Sequence, residues 1–162
     1  MKKIVFPALL LSVLAAQQAR ADEWRIYLRS VKAGTLSDCK ASDLRLNNLV
    51  VTVDVCEKRK NPNRSECEVS DVRLFDEVRM RNNTWVQLFT EVADPHLSIP
   101  ETELLDRQLL FTLYDTVLCQ GKKNTQSFKL GSIRVEPVSG QKVSIPGKDG
   151  FGAEVKVLKY PS

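Results

Sequence analysis

A chain of 162 residues with 24 Lys+Arg, 20 Asp+Glu and one histidine is the size of a single domain with a single core. Its positive excess sits at its start: without Lys2, Lys3 and Arg20, 21 basic residues face 20 acidic ones. Nothing in such a balance argues for a nucleic-acid binder, which needs a concentrated basic footprint.

Residues 1–21 read as an export signal. Lys2 and Lys3 precede an apolar run over 4–16 that is short for a membrane span, and Ala19-Arg20-Ala21 supplies a small-residue cleavage site. The mature chain is expected to begin at Asp22, to carry no transmembrane segment, and to be soluble in the periplasm or outside the cell. There its four cysteines meet oxidising conditions.

From residue 22 onward the periodicity is that of strands. Trp24, Ile26 and Leu28 alternate with Arg25, Tyr27 and Arg29, and Val51, Val53 and Val55 alternate with Thr52 and Asp54. Further strands are predicted over 69–74, 85–92, 109–114, 128–135, 142–145 and 151–157. Turn-rich stretches such as Asn61-Pro62-Asn63 and 146–150 separate them. One or two helical turns are expected over 100–107, where Pro100 and two glutamates suit a first turn. Seven or eight short strands in one domain, 22–162, predict an all-β antiparallel sandwich.

Catalytic chemistry finds few candidates. His96, within Asp94-Pro95-His96-Leu97, reads as a solvated turn residue, and no serine sits in a nucleophile elbow. Asp71, Asp76, Glu77, Glu101 and Glu103 could form an acid/base pair, but acids on loops and strand edges usually face water. There is no phosphate-binding glycine loop and no zinc signature, so no cofactor is expected. The loop 58–64 gathers Lys58, Arg59, Lys60 and Arg64, enough for local attraction to an anionic surface or for simple solubility. Sequons at Asn63 and Asn82 matter only in a glycosylating host. Four cysteines allow three pairings, and export favours disulfides over metal ligands.

Several segments in the stretch 85–135 carry a family resemblance. They are Thr84-Trp85-Val86-Gln87-Leu88-Phe89, the connection 99–109, Leu110-Phe111-Thr112-Leu113-Tyr114-Asp115, and Phe128-Lys129-Leu130-Gly131-Ser132-Ile133. Together these resemble the C2 domain, the calcium- and phospholipid-binding sandwich of protein kinase C and the synaptotagmins. Upstream, Ala33-Gly34-Thr35-Leu36 and Leu49-Val50-Val51-Thr52-Val53 are similar to the family's strands around its first loop.

The resemblance implies that Asp43 and Asn48 lie in the first acidic loop and that Asp115 opens the third. Calcium needs six to eight oxygen ligands, and Val117 stands where a second aspartate of the third loop would be expected, with Lys122 and Lys123 further along. No metal is expected, and the implied function is calcium-independent. The resemblance also implies the pairings Cys39–Cys119, between the first and third loops, and Cys56–Cys67 at the other end. By chain entropy these are worth roughly 4 to 5 and about 3 kcal/mol respectively.

The function expected is a non-enzymatic binding module that meets a protein, an envelope polymer or a membrane surface. Its contacts would be Asp43, Leu44, Leu46, Asp115, Leu118, Lys122 and Lys123, with no nucleic-acid partner. The competing expectation is a secreted hydrolase or effector with an acidic site on the same sandwich.

Overall fold

The computed structural model describes residues 22–37, 39, 47–58, 67, 72–74, 78–81, 83–87 and 96–161. In chain order its strands are β1 (Glu23–Lys32), β2 (Asn47–Glu57), β3 (Val72–Leu74), β4 (Val78–Met80), β5 (Trp85–Gln87), β6 (His96–Pro100), β7 (Arg107–Val117), β8 (Gln126–Val135), β9 (Gln141–Pro146) and β10 (Gly152–Tyr160). One short helix, α1 (Glu101–Leu104), lies between β6 and β7.

They form two five-stranded antiparallel sheets. The first runs β5-β1-β10-β9, with β6 also on the free side of β1. The second runs β3-β2-β7-β8, with β4 also on the free side of β2. Seven or eight strands become ten because each of these two edges is made of two separate segments: β5 and β6 pair with opposite halves of β1, and β3 and β4 with opposite halves of β2.

The alternation read from the sequence decides which face is inside. Ile26 and Val31 on β1, Leu49, Val51, Val53 and Val55 on β2, Leu109, Phe111 and Leu113 on β7, Val143 and Ile145 on β9, and Val155 and Val157 on β10 are all fully buried. With period 2, each strand sends these residues into the space between the sheets. On β2 and β7 four positions depart from the simple pattern. Thr52 and Thr112, which face each other on the outer side of the pair, and Asp54 and Cys56 on the same side of β2 are nonetheless buried.

Bulges occur at Arg29, between Leu28 and Ser30, and at Leu130, where β8 slips against β7. The extra residue turns Arg29 toward Glu154, 4.0 Å away, and turns Leu130 into the core. His96 is not in a turn. It begins β6 opposite Tyr27, and the two rings lie 5.3 Å apart. The turn signal Asp94-Pro95 therefore falls ahead of a strand that starts at the next residue.

Cys39 is bonded to Cys119 and Cys56 to Cys67, with Cα atoms 5.4 and 5.2 Å apart. Cys67 lies outside any strand, so the second bond ties the end of β2 to a connecting segment. No helix among the described residues is long and apolar enough to cross a membrane.

Candidate functional site

At one end of the sandwich β1, β7 and β9 finish, while β2, β5, β8 and β10 begin. The connections there are cross-linked rather than free. Cys39–Cys119 joins the segment after β1 to the segment after β7. The latter closes a turn through the Lys122 N–H, which donates to the Cys119 carbonyl at 3.0 Å, with Gly121 at φ 79°, where a glycine avoids the Cβ penalty. The Ala33 N–H donates to the Thr84 carbonyl at 2.9 Å, bringing the start of β5 into the same cluster.

A third tie runs to the turn before β10. The Asp149 carboxylate accepts hydrogen bonds from the Ser37 N–H and hydroxyl, both at 3.1 Å, and these bonds hold its pKa below the usual carboxylate value. The Asp149 carbonyl accepts from the Thr35 N–H at 3.2 Å. That approach requires Gly34, because a Cβ there would stand 1.9 Å from the Asp149 oxygen.

Asp115 occupies a different place from the one expected of it. It lies within β7 opposite Leu49 and is completely buried, so it cannot touch a partner. Its Oδ1 accepts the Asn48 N–H at 2.8 Å, and its Oδ2 has no hydrogen-bond partner among the described residues. Burial pushes its pKa up to about 6, against the opposing pull of hydrogen bonds from the Asn48 and Thr116 backbone. Val117 points into the core, Lys122 and Lys123 are exposed and bring positive charge, and no cluster of three or more potential ligands occurs among the described residues, which do not include Asp43.

Of the other expected contacts, Leu118 is 38% exposed, and Lys122 and Lys123 are exposed beside it, while Asp43, Leu44 and Leu46 lie outside the described residues. Reading the sequence missed Trp85. It starts β5 at this end, opposite Lys32, and is 59% exposed. Asn83 and Gln87, the polar residues two positions either side of it, were the available signal, since a strand that packs inward seldom sets its largest aromatic between two wet positions on one face.

Of the acids weighed for catalysis only Glu101 and Glu103 are among the described residues. Glu101 is bound to Lys159 at 2.5 Å, which lowers its pKa, and Asp71, Asp76 and Glu77 lie outside the described residues. In the basic loop Lys58 pairs with Glu136 at 3.4 Å, while Arg59, Lys60 and Arg64 are likewise outside them.

No protein-family model and no curated protein matches this chain. Solved structures do. A Drosophila C2-DSL-EGF1 structure superposes with a TM-score of 0.52 at 11% identity, covering 86% of this chain and 67% of that one. A C2 domain of plant extended synaptotagmin 1 gives 0.50 at 11% identity, with 88% and 96% coverage. A chain of CC2D1B gives 0.50 at 12% identity, with 88% of this chain but 57% of that one covered. The chain therefore has a C2-like β-sandwich fold.

Proposed function

We propose that this chain is an exported, calcium-independent binding module that meets a protein or membrane surface with the disulfide-clamped end of its sandwich. Residues 1–21 are its export signal, and residues 22–162 are the mature domain. The observation that carries the proposal is the pairing of rigidity with exposed apolar side chains. Trp85 and Leu118 stand out into water beside Lys32, Lys122 and Lys123, on connections held by Cys39–Cys119 and by the Gly34–Asp149 contact. A large, exposed, pre-positioned aromatic is what binding hot spots are built from, and fixing it before encounter lowers the entropy lost on docking. Two disulfides support a life in an oxidising compartment.

The experiment is binding of mature protein to anionic phospholipid vesicles and capture of envelope proteins, each with and without calcium and reductant. Trp85→Ser with Leu118→Ser, and Lys122→Glu with Lys123→Glu, are expected to abolish binding while thermal stability stays near that of the parent. Undiminished binding in both folded variants would place the interface elsewhere.

A further inference from the structure

Away from the clamped end, the outer face of the first sheet carries a second ordered surface. Across four strands one row reads His96, Tyr27, Lys156 and Lys142, a span of about 14 Å at the usual interstrand spacing. The next row places Ser98 beside Arg25 and Leu158, and beyond it Tyr160 lies under the Arg25 guanidinium, 4.3 Å from the ring centroid. His96, Ser98, Lys142 and Ser144 are exposed, and the rings of Tyr27 and His96 lie tilted at 39° to each other with centroids 5.3 Å apart.

Charge on this face is not balanced. Its two acids are already engaged, Glu23 with Arg25 at 2.6 Å and Glu154 with Arg29 at 4.0 Å. Lys156 and Lys142 stand directly opposite each other on β10 and β9, with no carboxylate in ion-pair contact among the described residues. Like charges at opposed positions destabilise a sheet. A lysine on the edge strand β9 discourages strand pairing, which accounts for Lys142, but β10 is an inner strand and gains nothing of that kind from Lys156. The β9–β10 pairing therefore gains nothing from the lysine pair. A residue set that works against its own strand pairing is what a ligand site leaves behind.

We infer that this face, through the Lys142–Lys156 pair flanked by Tyr27 and His96, binds an acidic polysaccharide. The lysines meet its carboxylate, sulfate or phosphate groups. Tyr27 and His96 offer ring surfaces against which a pyranose can stack, and Ser98 and Ser144 offer hydroxyls for hydrogen bonding. A lipid surface fits poorly, because Leu158, half-buried, is the one aliphatic side chain in these rows. The surface is separate from the clamped end, so either can fail without the other.

The test uses heparin as the acidic polysaccharide probe, with neutral dextran, linear polyphosphate and oligo-dT as comparators, measured by calorimetry on the mature protein. Heparin is expected to bind and to weaken as salt is raised, with dextran silent and the two polyanions that lack pyranose rings binding less tightly. Lys142→Glu with Lys156→Glu is expected to weaken heparin about tenfold or more. The charge-matched Lys58→Glu with Lys129→Glu should leave it within about twofold, since those residues lie off this face. Tyr27→Leu with His96→Ala should weaken heparin and leave polyphosphate unchanged, and Lys142→Ala with Lys156→Ala serves if the glutamate variant does not fold. Equal loss in the two charge variants, oligo-dT or polyphosphate binding as tightly as heparin, or no heparin binding at all would each overturn the inference.

Discussion

The backbone N–H of Asn48 donates to the buried carboxylate of Asp115 at 2.8 Å, joining the first residues of β2 to the last residues of β7 beneath the Cys39–Cys119 bond. Hydrogen bonds from the Asn48 and Thr116 backbone do not offset the desolvation of the charge, and the carboxyl titrates near 6 rather than near 3.8. Between those values the folded state holds a proton that the unfolded state has lost, so stability falls as pH rises from about 4 to about 6, by on the order of 2 to 3 kcal/mol. Urea denaturation at pH 4.5 and 7.5 measures this contribution against Asp115→Asn, in which the difference between the two pH values should shrink by that amount.

The same substitution separates a structural carboxylate from a metal ligand. Asp115→Asn is expected to stabilise the protein at pH 7.5 by about 1 kcal/mol or more, because it removes a buried charge while an amide oxygen can still accept the Asn48 N–H. Calcium titration of the parent by calorimetry should show no micromolar site. A calcium-dependent rise in melting temperature that Asp115→Asn abolished would reverse both expectations.

Replacing Cys39 and Cys119 by alanine should cost about 2 to 5 kcal/mol, since the bond closes a sequence separation of 80 residues in the unfolded chain. Replacing Cys56 and Cys67, 11 residues apart, should cost less. Guanidinium midpoints of the two variants rank them, and non-reducing peptide mapping of the parent checks the pairing itself.

Gly34→Ala should destabilise by about 2 kcal/mol or more, because the new methyl meets the Asp149 carbonyl and backbone must move on one side or the other. Gly121→Ala has open space around it and pays only for a left-handed backbone, about 1 kcal/mol. Thermal melts of the pair distinguish a packing requirement from a conformational one.

The sandwich was legible where each strand is long and buried on one face: the alternating valines of β2 and the run Phe151 to Val157 announce their inner sides directly. The broken edges were not, because β4 has three residues and β6 starts directly after a proline, too little for a period to register. At the site, Leu118, Lys122 and Lys123 could be placed by the loop that the strands imply. Asp115 could not, since an acid that ends an apolar run reads as a loop residue, and only the antiparallel register with Leu49 shows it inside. Trp85 was read only as the head of a strand over 85–92, with no side assigned to it, and its exposure shows only once β5 is paired with the end of β1. The Lys142–Lys156 opposition is invisible until β9 and β10 are aligned, because their 14-residue separation carries no periodic signal.

Glu23 pairs with Tyr160, and Lys159 reaches both Glu101 at 2.5 Å and Asp22 at 3.7 Å, so the two ends of the described chain are fastened together at the pole opposite Trp85 and Leu118. A tether attached beyond either end therefore pulls on one knot of three charged side chains and leaves the far pole facing outward. On a sensor chip, a bead or a phage coat, this protein orients itself.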